Sequence, residues 1–294
     1  MDVSEFSLAL DDGRSLDVRV AGSPDGVPLV AHHGTPSSGS PYAPYAAAAA
    51  ERGVRLVTYS RPGYVGSTRD PGRSVGDCAA DTAAIVDHLG ADRFYTTGQS
   101  GGGPHALACA ALLPDRVISC ATTAGVGPFD ADGLDFLASM ADENVEELTA
   151  ALAGESALLP YLEGFAKVFA DVTPAELAAE LGGLVSPVDV EALTGEFAEH
   201  ATTMLKESIS TGVWGWFDDD VAFVRDWGFA LADIRVPVTV WQGAQDRMVP
   251  FAHGEWLAAH IPAAKAHLFP EHGHLSLVVS SFPAIVDDLI GAGR

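Results

Sequence analysis

Short apolar, β-branched segments alternate with Ala- and Leu-rich segments over residues 27–122 and again over residues 236–290. The first kind of segment is typical of buried strands, and the second is typical of helices that cover a sheet. A chain that alternates in this way forms a mostly parallel sheet with helices on both faces. Two further strands, 4–10 and 15–21, flank a glycine-containing turn at 11–13 and form a hairpin. The predicted fold class is therefore α/β.

The alternation is interrupted by a long segment without strand patterns. Residues 127–233 show helical patterns only, with helix-start signals at Thr173-Pro174 and Ser186-Pro187. We interpret this segment as a helical cap inserted after the sixth strand. The predicted organisation is a sheet core in two parts, residues 1–126 and 234–294, separated by the cap.

The cap contains two conspicuous groups of residues. Tryptophan and phenylalanine cluster over 214–229, and we expect them to form the interior of the cap more than the wall of a substrate pocket. The acidic run Asp218-Asp219-Asp220 is expected to be a solvated turn, although such carboxylates could also hold a substrate ammonium group.

The charge balance limits the partners of the chain. Lysine and arginine number 16 against 40 acidic residues, for a net charge of −24. Phosphate backbones and anionic membranes bind clustered Lys and Arg, so we expect no nucleic-acid partner and no membrane partner. A small-molecule substrate remains as the expected partner, and the sequence leaves the oligomeric state open.

Several patterns predict a cytoplasmic location. The N-terminal residues 1–5 are acidic and lack the basic and apolar regions of a signal peptide. No apolar run approaches the length of a membrane span. Three cysteines lack paired spacing and are expected to be small buried residues of a reducing compartment: Cys78, Cys109 and Cys120.

A serine lies at a sharp corner between a predicted strand, 93–97, and a predicted helix, 104–113. The corner reads Gly98-Gln99-Ser100-Gly101-Gly102. A serine on such a turn takes a strained, positive φ, and side chains two residues to either side would collide with it. The helix that follows directs free N–H groups, Gly101 first, toward an oxyanion formed at the serine. The pattern predicts a nucleophilic Ser100.

An activated serine needs a base, and the base needs a carboxylate that orients it. Asp246 follows one predicted strand and His274 follows the next. Loops that follow parallel strands share one edge of the sheet, so these residues can meet Ser100 there. The order Ser, Asp, His along the chain is the order found in hydrolases with this kind of elbow.

At this point the chain resembles the α/β-hydrolase superfamily, specifically the cap-bearing group of esterases, proline iminopeptidases and carbon–carbon bond hydrolases. The resemblance covers nearly the whole chain outside the insertion, and five motifs carry it: His33-Gly34-Thr35-Pro36, Arg61-Pro62-Gly63-Tyr64-Val65-Gly66-Ser67, Gly98-Gln99-Ser100-Gly101-Gly102, Gly243-Ala244-Gln245-Asp246 with Val249-Pro250, and Gly273-His274. It implies the α/β-hydrolase fold, a mostly parallel twisted sheet flanked by helices, with a helical cap inserted after the sixth strand. The group usually has Asp where Ser60 or Arg61 stands here.

The resemblance also implies roles for individual residues. Ser100 would be the nucleophile, His274 the general base and acid, and Asp246 the residue that orients His274. The backbone N–H groups of Thr35 and Gly101 would form the oxyanion hole. No cofactor and no metal are implied.

Other residues compete for some of these roles. Asp130 or Asp132, after the sixth strand, is a rival for the acid, and His272 is a rival for the base. His32 and His33 invite a metal-site interpretation, but adjacent residues on an extended segment point to opposite sides. We expect His33 to brace the oxyanion loop instead.

The predicted function is cleavage of a small-molecule carboxylic ester or similar acyl substrate through an acyl-enzyme on Ser100. Alternatives with the same triad are an aminopeptidase of the proline iminopeptidase type, a carbon–carbon bond hydrolase and a cofactor-free perhydrolase. An alternative of another class is a slow-turnover ligand receptor on a hydrolase scaffold. The sequence does not identify the substrate, because specificity depends on the cap and its contact with the sheet.

Overall fold

Eight strands form a single sheet in the computed structural model, which describes residues 3–293. The strands are β1 (Ser4–Ala9), β2 (Ser15–Gly22), β3 (Val27–His32), β4 (Val54–Tyr59), β5 (Phe94–Gln99), β6 (Val117–Thr123), β7 (Val238–Gly243) and β8 (Lys265–Phe269). Their order across the sheet is β1-β2-β4-β3-β5-β6-β7-β8. Strand β2 is antiparallel to both of its neighbours, and the pairs from β4 to β8 are parallel. The predicted hairpin and the predicted parallel sheet are confirmed.

Helices flank this sheet and fill the long connection between β6 and β7. Those of the sheet layer are α1 (Ala43–Glu51), α2 (Cys78–His88), α3 (Gly102–Leu112), α10 (Phe251–His260) and α11 (His274–Ala292). Those of the connection are α4 (Asp142–Ala153), α5 (Glu155–Asp171), α6 (Leu177–Glu180), α7 (Pro187–Ala192), α8 (Gly195–Ser208) and α9 (Trp214–Phe223). Short 3₁₀ turns occupy Gly182–Leu184 and Leu231–Asp233. The predicted fold class, with a helical cap after the sixth strand, is confirmed; the exact cap limits, 127 and 233, stay a prediction.

The parallel register brings the ends of several strands to one edge of the sheet. Gly98 near the end of β5 pairs with His32 at the end of β3 and with Thr122 near the end of β6. Gly243 at the end of β7 pairs with Phe269 at the end of β8. The loops that follow these strands therefore open at the same edge, where an active site of this fold class is expected.

Apolar packing is divided between the sheet layer and the cap. Trp216 and Phe217 belong to the interior of the cap with helices α5 and α8, whereas Trp227 packs with the core beside the sheet. The aromatic residues over 214–229 are thus core residues of two different cores, not of the cap alone. Two of them, Trp216 and Phe223, also line the cavity that contains Ser100, so both expected roles are met in part. The three cysteines are buried and free, which confirms their expected packing role.

The sequence led us to expect no apolar run of the length of a membrane span, but helix α11 reaches that length. By length and composition alone it is long and apolar enough to cross a membrane. Nearly half of this apolar stretch is buried inside the protein. Leu277, Phe282 and Leu289 belong to the apolar core on this side of the sheet.

Candidate active site

Ser100 occupies the predicted corner between β5 and α3. Its φ is +53°, the left-handed region that a side chain adopts at a cost in strain. A Cβ atom on Gly98 would overlap the Gly102 carbonyl, and a Cβ atom on Gly102 would overlap the His32 carbonyl. The Ser100 N–H donates to the Thr123 carbonyl at 2.9 Å, which ties the corner to β6. The two glycines are therefore required by space, as the sequence predicted.

His274 and Asp246 meet through a buried hydrogen bond. Nδ1 of His274 lies 2.8 Å from Oδ2 of Asp246, and both residues are buried. The other carboxylate oxygen of Asp246 accepts the N–H groups of Met248 and Val249 at 2.9 and 2.8 Å. The Gln242 amide donates to Oδ2 of Asp246 at 3.1 Å. The carboxylate is thus held on both oxygens, and this orientation makes Nδ1 of His274 the protonated nitrogen.

The residues that the sequence offered as alternatives to Asp246 and His274 take no part in this hydrogen bond. Asp130 and Asp132 are exposed, and neither is hydrogen-bonded to His274 in the described part of the chain. His272 packs its ring edge-on against Phe269, with the ring centres 5.5 Å apart. No group of three or more His, Cys, Asp or Glu side chains within residues 3–293 is arranged to hold a metal ion.

His274 is the first residue of α11, where the sequence had predicted a loop position. Asp189 of the cap helix α7 forms this helix start. Its carboxylate accepts the N–H of His274 at 3.1 Å and the N–H of Ser276 at 2.8 Å. Asp189 is fully buried, and a Cβ atom on Gly273 would overlap its carboxylate. A cap residue therefore fixes the backbone of His274, and Gly273 is needed because that carboxylate approaches so closely.

The surroundings of His274 set its affinity for protons. Burial by itself lowers the pKa of His274, but the charge of Asp246, its hydrogen bond and the charge of Asp189 outweigh burial and raise the pKa above its ordinary value. A more basic imidazole accepts a proton from a serine hydroxyl more readily.

The candidate oxyanion donors, Thr35 and Gly101, lie against each other. A Cβ atom on Gly101 would overlap the Thr35 side chain, and both residues line the cavity that contains Ser100. Among residues 3–293, the backbone N–H groups of Thr35 and Gly101 have no protein acceptor. Both N–H groups are therefore available to donate to a ligand.

A buried ionic network holds the loop that carries Thr35. The Arg61 guanidinium donates to the carbonyls of His33 and Gly34 and to Thr35 Oγ1. Asp219 of α9 accepts from Arg61 at 2.5 Å and from Thr35 Oγ1 at 2.7 Å. The network thus links the cap to the oxyanion loop.

Asp219 also binds a second arginine. Arg73 Nη2 and the Tyr64 hydroxyl donate to its carboxylate at 2.6 and 2.9 Å. Burial raises the pKa of Asp219, but Arg61 and Arg73 together hold it well below its ordinary value. With two arginines and one aspartate, the cluster carries a net positive charge beneath the oxyanion loop.

The expectation of a solvated turn at Asp218-Asp219-Asp220 is wrong. All three residues lie on α9 and are buried. Asp219 is neutralised by Arg61 and Arg73, and Asp218 pairs with Arg69 at 2.8 Å. A run of carboxylates can be buried here because most of its charge is paired, and the sequence does not show which arginines reach it.

His33 braces the oxyanion loop, as predicted. Its Nε2 accepts the Arg61 backbone N–H at 3.1 Å, and its Nδ1 lies 2.7 Å from the Gly34 carbonyl. Burial and the charge of Arg61 lower the pKa of His33 well below its ordinary value. The ring is therefore a neutral structural link between the oxyanion loop and the loop after β4.

A cavity of about 230 Å³ between the sheet and the cap joins these parts. Ser100, His274, Thr35 and Gly101 all line it. Most of its remaining wall is apolar and is supplied by the cap and the adjoining loops: Phe136, Met140, Leu148, Phe165, Phe169, Leu177, Leu181, Leu184, Leu193, Phe197, Trp216 and Phe223 among others. Among the described residues, its acidic side chains are Glu143, Glu147 and Asp220, and neither Lys nor Arg lines it.

This arrangement is capable of nucleophilic acyl transfer. Nδ1 of His274 is bound to Asp246, and its Nε2 has no partner within residues 3–293. Ser100 is therefore not hydrogen-bonded to His274 here. In such sites the hydrogen bond between serine and histidine often tightens only when a substrate binds. A serine on a strained corner, an oriented base and two free N–H donors therefore share one largely apolar cavity.

Comparison with known proteins agrees with this architecture. The chain is 27% identical to a non-heme chloroperoxidase from Streptomyces lividans, over 92% of this chain and 94% of that one. It is 24% identical to 2-hydroxy-6-oxononadienedioate/2-hydroxy-6-oxononatrienedioate hydrolase from Klebsiella pneumoniae, over 92% of this chain and 89% of that one. A solved bromoperoxidase from Bacillus anthracis superposes with a TM-score of 0.71 at 20% identity, covering 98% of this chain and 100% of that one. A family model described as alpha/beta hydrolase fold matches residues 27–281, and the chain therefore belongs to the α/β-hydrolase fold family.

Proposed function

We propose that this protein is a serine hydrolase that cleaves small, uncharged carboxylic esters through an acyl-enzyme on Ser100. The observation that carries the proposal is the shared cavity, which is lined by Ser100, His274, Thr35 and Gly101 and is otherwise mostly apolar. The backbone N–H groups of Thr35 and Gly101 have no backbone acceptor within residues 3–293. Each of these parts has a defined use in acyl transfer.

In the first step, Ser100 Oγ attacks the ester carbonyl while His274 Nε2 takes the serine proton. The negative charge that develops on the carbonyl oxygen is stabilised by the N–H groups of Thr35 and Gly101. His274, now protonated and paired with Asp246, gives its proton to the leaving alcohol. In the second step, His274 activates a water molecule that releases the acid and restores Ser100.

The charge of the cavity wall favours uncharged esters over dianionic substrates. The relative from Klebsiella pneumoniae is named for a substrate with two carboxylate groups. A buried carboxylate needs a cationic or hydrogen-bonding partner. Here the cavity contains Glu143, Glu147 and Asp220, and no Lys or Arg of the described chain lines it. A carboxylate on the substrate would therefore meet repulsion.

The proposal is tested with matched p-nitrophenyl esters. We expect purified protein to turn over p-nitrophenyl butyrate many times, and to hydrolyse the mono-p-nitrophenyl ester of succinate at least about tenfold less efficiently, because a like charge in the cavity costs about 1.4 kcal/mol or more. The Ser100→Ala variant should lose about 10⁴-fold in kcat.

Three outcomes would contradict the proposal. A Ser100→Ala variant as active as the wild type would exclude the serine mechanism. A preference for the succinate ester would exclude the substrate class. A single turnover followed by a stable complex would identify a receptor instead of an enzyme.

A further inference from the structure

A second, smaller cavity adjoins the one that contains Ser100. Its volume is about 70 Å³, and its wall includes residues of strands β3, β4 and β5, of helices α1 and α11 and of the cap helix α8. Four residues line both cavities: Gln99, Phe197, Met204 and Val278. Gln99 directly precedes Ser100, and Val278 lies about one helical turn after His274 on α11. The two cavities therefore meet next to the reacting groups.

The wall of the smaller cavity is uncharged, unlike that of the catalytic cavity. No Lys, Arg, Asp or Glu of residues 3–293 lines the smaller one, whereas Glu143, Glu147 and Asp220 line the larger one. His200 of α8 belongs to the wall of the smaller cavity, and burial lowers its pKa to about 4. The imidazole of His200 is therefore neutral at pH 7.

Three hydroxyl groups in this wall are already bound within the protein. Thr58 and Tyr45 each donate to a backbone carbonyl at 2.5 Å, and Ser38 donates to the carboxylate of Glu207 at 2.7 Å. The exposed surface of the wall is mostly apolar. A water molecule held in a cavity needs two to four polar partners, and apolar cavities bind apolar molecules instead. The smaller cavity therefore favours an uncharged, apolar occupant.

We propose that the smaller cavity receives the end of an unbranched aliphatic chain of the ester substrate. This inference rests on the proposed function, because it names the chain whose ester is cleaved in the adjoining cavity. A cavity of about 150 Å³ holds a benzene molecule, so one of 70 Å³ has room for about two to three carbon atoms. The chain therefore extends beyond the catalytic cavity by about this length.

Met204 of α8 lies at the junction through which the chain passes. Its sulfur accepts the hydroxyl group of Ser37 at 3.5 Å. A methionine side chain is unbranched and adapts its shape readily. Phe197, at the same junction, packs its ring edge-on against Tyr42, with the ring centres 5.6 Å apart. Met204 is thus the side chain that makes way for the chain, and Phe197 is a fixed wall.

The first test measures how far kcat/KM rises with chain length in two series of esters. The acyl chain is varied in p-nitrophenyl esters from acetate to octanoate, and the alcohol is varied in butyrates from methyl to hexyl. In one of these series kcat/KM should rise about fourfold for each added CH₂ until both cavities are filled. The length at which the rise stops is the chain-length limit of the protein.

The variant Ala31→Leu fills the smaller cavity with an isobutyl group. Ala31 lines this cavity and not the catalytic one. The variant should lower the chain-length limit by about two to three carbons. At the wild-type limit its kcat/KM should fall at least about tenfold, whereas an ester about three carbons shorter should be cleaved as by the wild type.

A second variant and a control keep this test decisive. Met204→Ala widens the junction and should move the limit to longer chains, opposite to Ala31→Leu. The control Ala80→Leu makes the same replacement at an exposed position on α2 that lines neither cavity, and it should keep the wild-type limit. A wild-type limit in Met204→Ala, or in an Ala31→Leu protein that circular dichroism shows to be folded, would overturn the inference.

A further test measures binding without hydrolysis, by calorimetry of unbranched alcohols from n-butanol to n-octanol. The affinity of the wild type should rise about fourfold for each CH₂ up to a limit, and Ala31→Leu should reach its limit about two to three carbons earlier. Equal limits in the two proteins would overturn the inference. The expected difference, in a protein that cleaves no ester, would support the chain site and refute the proposed function. Ester cleavage that depends on Ser100, with one limit in all variants, would refute the chain site alone.

Discussion

Replacing Asp219 by Asn should damage both the stability of the protein and its oxyanion loop. Asp219 is fully buried and accepts from Arg61 at 2.5 Å, Arg73 at 2.6 Å, Thr35 Oγ1 at 2.7 Å and the Tyr64 hydroxyl at 2.9 Å. The substitution keeps the shape of the side chain but leaves two buried guanidinium groups without a counter-charge. Breaking a buried ion pair from one side costs about 3–5 kcal/mol.

This loss is large against the usual stability of about 5–15 kcal/mol. At about 2 °C per kcal/mol for a chain of this size, Asp219→Asn should lower Tm by about 6–10 °C. Urea unfolding followed by circular dichroism gives the free energy directly. The matched control is Asp87→Asn, since Asp87 pairs with Arg116 at 2.7 Å but its side chain is 64% exposed. An exposed pair contributes about 0–1 kcal/mol.

The same variant should affect turnover, because Arg61 and Asp219 together hold Thr35. One oxyanion donor contributes about 10²–10³-fold to kcat. A displaced Thr35 should therefore lower kcat for p-nitrophenyl butyrate by about 10- to 100-fold, with a smaller change in KM. A loss of less than 1 kcal/mol in Asp219→Asn, equal to that in Asp87→Asn, would refute the view that this carboxylate compensates buried arginines.

Three further predictions concern single residues. Asp189→Asn removes a negative charge that raises the pKa of His274, so the acid limb of the kcat/KM profile should move to lower pH; an unmoved limb would refute this coupling. The Cβ of Gly98→Ala has no room, so this variant should unfold at a urea concentration far below that of the wild type. The variant Gly164→Ala lies in open space on α5, and its free energy of unfolding should rise by up to about 1 kcal/mol. Burial raises the pKa of Asp220, so the folded state keeps a proton that the unfolded chain loses. The free energy of unfolding of the wild type should therefore fall as the pH rises above about 4 toward the folded pKa. Asp220→Asn should flatten this fall.

Those parts of the structure that depend on local pattern were predictable from the sequence. The strand before Ser100, the glycines at 98 and 102 and the helix after them follow from steric rules that act within a few residues. The meeting of Asp246 with His274 follows from the rule that loops after parallel strands share an edge, and their 2.8 Å contact agrees with it.

Contacts between the cap and the core were not predictable in this way. Asp189 reaches His274 across 85 residues of sequence, and Asp219 reaches Arg61 across 158. Neither pairing has a periodicity or a motif that marks it. The helix start at Ser186-Pro187 indicated where α7 begins, but not that its Asp189 also caps α11. The acidic run at 218–220 was misread because burial of a charge depends on partners that only the fold brings near.

The most direct test of the central claim is to trap the acyl-enzyme. Wild-type protein is mixed with p-nitrophenyl butyrate, quenched in acid within milliseconds to seconds, and analysed by intact-protein and peptide mass spectrometry. We expect a single butyryl adduct on the peptide that contains Ser100, and none in the Ser100→Ala variant. An adduct on another residue, or hydrolysis by the Ser100→Ala variant at the wild-type rate, would contradict the account.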